Sequence, residues 1–321
     1  MLPGGTRQLR RLGGGGELMQ AIAAAHLGRD MPVDFGRKFI PEELTPLFYV
    51  SLYRQLAPEQ RLRYNQLQAL YFNEQIIFFE TMIGRGVLES LLRQCWTNGF
   101  GDKLQRFSDD EIRHSEMFRQ LNRRCAPQYY AAADFHFIQA PNRSIAALEW
   151  MTRRPRIFPL FIWLMLLQEE RSLYYSKEFI RRGDAIEPHF VASHRVHLAD
   201  EASHVRWDQE LLDRLWQRTG RALRIVNARL FAWMLGEFFS TPKRGQLRVV
   251  AMLAREFPEL RKREPEMSRQ LLALPQDETY QLSLYSRRIV PRCFAQFDQW
   301  PEFRVMERAI RGYRFVPQEA L

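Results

Sequence analysis

The chain has 321 residues, of which 46% are apolar and 13% aromatic, and its formal net charge is +10. These proportions suffice for a packed interior and exclude a largely disordered chain. The basic balance is compatible with an anionic substrate, an acidic partner protein or nucleic acid, and also with a plain hydrated surface. Three widely spaced cysteines argue against a disulfide framework or a cysteine zinc site, which favours a reducing cytoplasm.

Residues 1–38 carry arginines and the run Gly13–Gly16 but no apolar signal core, which predicts a flexible, irregular N-terminal segment. The longest apolar run, Phe158–Leu167, is far shorter than the roughly 20 residues that a membrane helix requires. We therefore expect a soluble, cytoplasmic protein.

Strand signals are nearly absent from the remaining sequence, and helix start and stop signals recur. Prolines precede or begin several apolar periodic segments, and Gly183 and Gly220 follow two of them. The main helices are predicted at Pro58–Trp96, Lys103–Arg124, from Pro159 to Arg182 and Pro188–Arg218, with a shorter one at Asn142–Thr152 and a turn at Thr97–Asp102.

The last third of the sequence contains further amphipathic segments, which are expected to wrap the bundle, close one end of a pocket or form an oligomer contact. No linker argues for a second domain. We predict one all-α domain over residues 39–321, a ferritin-like four-helix bundle at about 58–219 with accessory helices at 220–321. The accessory segments are Leu223–Phe239, Leu247–Phe257, Met267–Leu274, Tyr280–Ile289 and Phe303–Ile310.

One short pattern occurs twice, as Asp110-Glu111-x-x-His114 and Asp200-Glu201-x-x-His204. Residues three apart on a helix project from one face, so each copy directs a carboxylate and an imidazole to one point. Bundles that bind two metal ions use two such helices and one inward Glu from each of two others. A single copy is usually an ordinary surface contact, but the repeat favours a dinuclear metal site.

The fourth helix offers a further ligand, His197. With His197 at zero on the helical wheel, Glu201 lies at about 40° and His204 at about −20°. His194 faces the same way but lies about 10 Å from Glu201 along the axis, so His197 is the better candidate.

The first and third helices should each supply one further glutamate ligand, and each helix offers more than one candidate. Glu169 and Glu170 compete on the third helix, and Glu170 is favoured because it continues an apolar stripe on which an isolated carboxylate is costly. On the first helix, Glu80 is favoured over Glu74 and Glu89, because Glu80 and Glu111 are nearly equidistant from the turn that joins their helices.

Oxygen and imidazole ligands without thiolate favour iron or manganese over structural zinc, and redox chemistry with O2 follows. Asp110 and Asp200 are placed to accept hydrogen bonds from the outer nitrogens of the coordinating imidazoles, across the pair of helices. No flavin or nicotinamide motif is present, so the electrons must come from an external donor such as a ferredoxin or a reductase.

The chain resembles the p-aminobenzoate N-oxygenase family of non-haem di-iron proteins over about residues 39–216. The resemblance implies two iron ions that reduce O2 to a peroxo-level intermediate and insert oxygen into the nitrogen of a small amine, commonly an aryl amine. A homodimer is also expected. The implied iron ligands are Glu80, Glu111, His114, Glu170, His197, Glu201 and His204.

Other functions of this fold class remain open. A di-iron C–H hydroxylase acting on a small, carrier-bound or tRNA substrate would use the same ligands. A radical-storing reductase subunit is disfavoured, because Phe118 stands where a tyrosine would be expected, and iron storage is disfavoured by the many accessory segments. A helical scaffold without metal is the non-enzymatic alternative.

Overall fold

The computed structural model describes residues 31–94, 99–240 and 243–316. Within these ranges the chain is helical, and its β-structure is limited to an isolated parallel bridge between Lys38 and Ile186. The prediction of an all-α, ferritin-like bundle is confirmed. None of the helices in the described ranges is both long and apolar enough to cross a bilayer.

Four long helices form the bundle, and each begins close to its predicted start. The first and fourth begin at the prolines that predicted them, since proline is well tolerated in the first turn of a helix. Trp96 and part of the predicted turn lie outside the described residues, and Gly99 precedes the second helix with a positive φ of 68°. The helices are Pro58–Phe78 with its continuation Arg85–Leu92, then Phe100–Cys125, Leu160–Arg181 and Pro188–Leu215.

The first bundle helix contains a wide turn that the sequence did not predict. Its two α-helical parts are joined without a break by a π-helical segment, Phe79–Gly84. Within it, the Thr81 hydroxyl donates to the carbonyl of Ile77 at 2.5 Å. Such single π turns concentrate at functional sites, and this one carries Glu80.

Contacts between the helices show that the fourth runs antiparallel to both of its neighbours. Ser172 and Ser176 of the third helix contact His197 and His194, respectively. Towards the second helix, Lys103 pairs with Glu210, and Asp110 contacts His204. The fourth helix therefore contacts both neighbours over several turns.

The accessory region packs against the bundle within one cluster of buried apolar side chains that extends from Phe39 to Tyr313. Most of its predicted segments are helical, although Tyr280–Ile289 is wrong beyond Leu284, and the helix Pro291–Phe297 was not predicted. The observed helices are Arg221–Met234 with a π turn at Leu235–Phe239, Lys243–Glu256, Glu264–Ala273, Glu278–Leu284, Pro291–Phe297 and Met306–Ala309.

The chain contacts the bundle on both sides of residue 39, since Gln66 of the first helix donates to the carbonyl of Phe35. Both Phe39 and Ile40 are buried, and their backbone N–H groups donate to the side chain of Asn65. The assignment of residues 39–321 to a single domain remains a prediction.

Candidate metal centre

Six of the seven predicted ligands meet in the middle of the bundle. None of the six is more than 3% exposed, so their carboxylates and imidazoles lie in a region from which solvent is excluded. They come from three helices, two of which contribute a Glu-x-x-His pair. The six are Glu80, Glu111, His114, His197, Glu201 and His204.

Glu80, His114 and His197 form one half of the centre, and their ligand atoms lie within 4.8 Å of one another. Glu80 Oε1 is 3.3 Å from His197 Nε2 and 4.0 Å from His114 Nδ1. Glu201 Oε1 approaches both imidazoles, at 2.8 Å from His197 Nε2 and 3.8 Å from His114 Nδ1. The π turn of the first helix thus brings Glu80 to the stripe of the fourth.

The other half surrounds His204, which belongs to the two remaining groups of mutually close ligand atoms, Glu111–His114–His204 and Glu169–Glu201–His204. Its Nδ1 lies 3.5 Å from Glu111 Oε1, 3.7 Å from Glu169 Oε2 and 3.7 Å from Glu201 Oε1. Because Glu201 approaches imidazoles in both halves, its carboxylate is placed between them.

The prediction of Glu170 as the third-helix ligand is wrong on this geometry, because Glu169 occupies that place. Both side chains are 5% exposed, so burial does not distinguish them. Glu170 turns away from the centre and accepts hydrogen bonds from the backbone N–H groups of Arg292 and Cys293, at 2.9 and 2.8 Å. Burial of the Glu170 carboxylate is costly without a partner, and backbone N–H groups of the accessory helix Pro291–Phe297 supply that partner in place of a metal ion.

The structure also separates the three glutamates of the first helix. Glu89 is only partly buried, and its side chain pairs with Arg85. Glu74 is fully buried, but its carboxylate accepts hydrogen bonds from Tyr130 and from three backbone N–H groups at residues 136–138. Of the three, Glu80 alone joins the cluster, in agreement with the hairpin argument.

Six polar atoms that face the centre make no well-formed hydrogen bond to the protein, which is the strongest sign that the site fits metal ions. Buried polar groups are nearly always hydrogen-bonded, and each exception requires an explanation. In the cluster the exceptions converge, and all are lone-pair donors of the kind that iron or manganese accepts. They are Glu80 Oε2, Glu111 Oε2, Glu201 Oε1 and Oε2, His114 Nδ1 and His204 Nδ1.

The pKa values show the electrostatic cost of this arrangement. Burial raises the pKa of Glu80 and Glu111 well above the usual range, and for Glu111 the neighbouring Glu169 carboxylate adds to the effect. Burial and the neighbouring His197 lower the pKa of His114. Burial opposes protonation of His204 too, but the hydrogen bond to Asp110 and the nearby Glu169 and Glu201 carboxylates raise its pKa well above the usual value. Bound cations would stabilise the ionised carboxylates.

Each motif aspartate contacts the imidazole of the opposite helix. His114 Nε2 donates to Asp200 Oδ2 at 3.0 Å, and His204 Nε2 donates to Asp110 Oδ2 at 3.2 Å. These contacts orient both rings so that each Nδ1 faces the centre, where the neutral imidazole offers its lone pair to a metal ion. Burial acts in the opposite direction, but the contacts with His114 and with Arg113 lower the pKa of Asp200 to about 2.

His197 is oriented differently from the other two imidazoles. Its Nε2 faces the cluster, while its Nδ1 lies 3.2 Å from the hydroxyl of Ser172. Sequence reasoning missed Ser172, although its position three residues after Glu169 places it on the same face of the third helix. His194 contacts Ser176 instead and lies outside the three ligand groups, as expected from its axial distance.

Comparison with known proteins bears on the same residues. The chain matches, over residues 26–273, the family described as P-aminobenzoate N-oxygenase AurF. The chain belongs to this family. The match extends beyond the predicted limits of residues 39–216 at both ends and takes in helices as far as Glu264–Ala273, so the accessory helices up to that point are part of the AurF family sequence. No curated protein matches the chain.

Proposed function

We propose that the protein is an O2-dependent di-iron monooxygenase that oxygenates the nitrogen of a small amine of the aryl amine class. Membership of the AurF family supports an oxygenase of this type. The observation that carries the proposal is the convergence of buried, unpartnered carboxylate and imidazole atoms from three helices, joined by Glu169 of a fourth. A structural role would have satisfied these atoms with protein hydrogen bonds, as it does at Glu74 and Glu170.

The proposed ligands are four carboxylates and three imidazoles. Bound iron would supply the one-electron steps by which O2 is reduced, with manganese as the other metal that suits these donors. The ligand set is Glu80, Glu111, Glu169, Glu201, His114, His197 and His204.

The chain's own residues orient the ligands and exclude water. Asp110 and Asp200 hold the outer protons of His204 and His114, so neither imidazole is free to rotate. Phe107 stacks on His204 with ring centroids 4.1 Å apart, and Phe118 contacts the edge of His197. This apolar shell lowers the local dielectric around the charged groups.

The overall reaction sets what must be delivered to the site. Amine, O2, two electrons and two protons yield the hydroxylamine and water. We propose that a ferredoxin or a reductase supplies the electrons, and the basic net charge of +10 suits an acidic donor. A cytoplasmic location is consistent with the free thiols of Cys125 and Cys293.

We also propose that the protein is a homodimer with a single domain over residues 39–321. The helix Arg221–Met234 and its π turn expose Val226, Trp233 and Phe238 by more than half. Apolar side chains grouped in this way are typical of an association surface. Light scattering of the purified protein would measure the oligomeric state.

The test combines metal analysis with product analysis. Protein produced in iron-rich medium should contain two iron ions per chain, and after reduction and exposure to O2 it should convert an aryl amine to its hydroxylamine or a more oxidised nitrogen product. A product oxygenated at carbon would instead support the hydroxylase alternative. Absence of stoichiometric metal would support the scaffold alternative and overturn the proposal.

His197 and His194 provide a matched pair for this assay, because both are buried on the same helix and only His197 faces the cluster. We expect His197→Ala to retain the fold and most of the iron but to lose the oxygenated product. His194→Ala should retain both iron and product. Unchanged turnover in His197→Ala would remove the case for a third imidazole ligand.

A further inference from the structure

Arg113 connects the two aspartates that hold the imidazoles. It lies on the second bundle helix, beside His114, and its side chain is 43% exposed. Its Nη2 atom donates to Asp110 Oδ1 at 2.8 Å and to Asp200 Oδ2 at 2.8 Å. One guanidinium nitrogen therefore bridges carboxylates of the second and fourth helices.

The bridge completes a continuous path of hydrogen bonds across the outside of the centre. The path leads from His114 to Asp200, through Arg113 to Asp110, and from Asp110 to His204. It joins one imidazole from each half of the proposed metal pair. A change at Arg113 must therefore act on both halves together.

We propose that Arg113 is a positioning residue that couples the two imidazoles and sets the reduction potential of the metal pair. The inference rests on the proposed function only in so far as the site binds a redox-active metal. Arg113 itself is not a proposed ligand, and it acts through Asp110 and Asp200.

Two physical effects of Arg113 act in the same direction. A carboxylate that accepts a hydrogen bond from a coordinated imidazole makes that ligand a stronger electron donor, and the Arg113 cation withdraws part of this effect. The guanidinium also adds one positive charge behind the two aspartates that contact His114 and His204, which would disfavour the more highly charged ferric state of bound iron. Removing the cation should therefore make the reduction potential more negative.

A surface ion pair without functional consequence is the competing explanation, since exposed pairs contribute little to stability. The two explanations differ at Arg113→Lys. Because a single nitrogen makes both contacts, the ammonium group of lysine, which has three N–H donors, can replace it. A role in coupling therefore predicts recovery by lysine and loss with methionine, which has no charge.

Arg123 supplies the matched control. It lies on the same helix, its side chain is 44% exposed, and it pairs with Asp134 rather than with an aspartate that holds a ligand. Arg123→Met removes the same charge from a more distant position, so it tests whether a general loss of positive charge explains the result.

The experiment measures iron content, reduction potential by spectroelectrochemistry, and thermal unfolding for the wild type, Arg113→Met, Arg113→Lys and Arg123→Met. We expect Arg113→Met to have a more negative potential and roughly tenfold weaker metal binding, in line with the loss of an outer partner. Arg113→Lys and Arg123→Met should have potentials near that of the wild type.

An unchanged potential in Arg113→Met would overturn the inference, and so would an equal shift in Arg123→Met or a lysine variant as defective as the methionine variant. A wild-type protein that binds iron reversibly but oxygenates no amine would overturn the proposed function alone. Failure of the wild type to bind any redox-active metal would overturn both.

Discussion

Buried carboxylates occur in two regions of this molecule, and the two regions treat them in opposite ways. At Glu74, four donors from the segment Tyr130–Ile138 surround the carboxylate, which fastens that segment to the first helix. In the central cluster, Glu201 is equally buried, yet neither of its oxygens accepts a well-formed hydrogen bond, and Oε1 lies instead 2.8 Å from His197 Nε2, another atom that faces the centre. The difference shows that burial alone does not identify a metal ligand in this fold.

The criterion that does discriminate is whether the oxygens are already satisfied. Glu169 and Glu170 are neighbours with the same exposure, and only the hydrogen bonds of Glu170 to the accessory helix show that it is structural. The following predictions test this distinction, and they run from the largest expected effect to the smallest.

The largest effect is expected at Glu201, which lies between the two halves of the centre. Glu201→Gln should abolish stoichiometric metal binding, a loss greater than the roughly 100-fold that removal of an outer partner can cause. The metal-free protein should remain folded, because an amide relieves the carboxylate crowding. Iron analysis with circular dichroism checks both statements, and full metal content would contradict the assignment of Glu201.

A smaller but more selective effect is expected on the third helix. Glu169→Gln should weaken metal binding in the half around His204, whereas Glu170→Gln should keep the metal and lose about 1–3 kcal/mol of stability through its weakened backbone contacts. Metal titration and denaturant unfolding of both variants separate these outcomes. The reverse pattern would restore Glu170 as the ligand.

Glu74→Gln should affect stability and leave the metal in place. The amide keeps one acceptor oxygen for several donors, so we expect the free energy of unfolding to fall by about 3 kcal/mol. Metal content per folded chain should equal that of the wild type. A specific loss of metal would show that the separation between the two regions is incomplete.

Asp208 is an exception to the rule that an unsatisfied buried carboxylate marks a metal ligand. Its two oxygens lack hydrogen-bond partners, although it belongs to none of the three ligand groups. Burial raises its pKa well above 3.8, with a further contribution from Glu169. As the pH rises above 3.8, the unfolded chain ionises while the folded chain stays protonated, so stability is lost with rising pH. Asp208→Asn removes this loss, and its advantage over the wild type should grow by up to about 1.4 kcal/mol per pH unit.

Unfolding of the metal-free proteins between pH 4 and 7 measures that advantage. A constant difference between the variant and the wild type would mean that Asp208 is ionised in the folded state and has a charged partner. A loss of metal in Asp208→Asn would place this residue with Glu201 and not outside the ligand groups.

The sequence predicted those parts of the site that depend on a single helix. The spacing from His197 to His204 defines one stripe whatever surrounds it, and the repeated motif defines its counterpart around Glu111. The choice between Glu169 and Glu170 depended on something else, the backbone of Arg292 and Cys293 more than a hundred residues away. No periodicity in the third helix reports that contact.

The position of Glu80 shows a second limit of sequence reasoning. Its choice over Glu74 followed from counting residues to the turn, which sets the approximate level of a side chain along a hairpin. The π segment that carries Glu80 changes the local rotation of the helix, and its residues have no sequence feature that predicts it.

The π segment Phe79–Gly84 has a consequence for how this site could change over time. A wide turn holds one more residue than an ordinary turn, so deleting a single residue there would restore a regular spiral and swing Glu80 by about 100° around the axis. One half of the centre would then lose Glu80 and depend on Glu201 alone for a carboxylate, while the donors on the other helices stayed in place. Deletion of one codon, with every ligand residue still present in the sequence, would thus leave the two halves of the centre with different numbers of carboxylates.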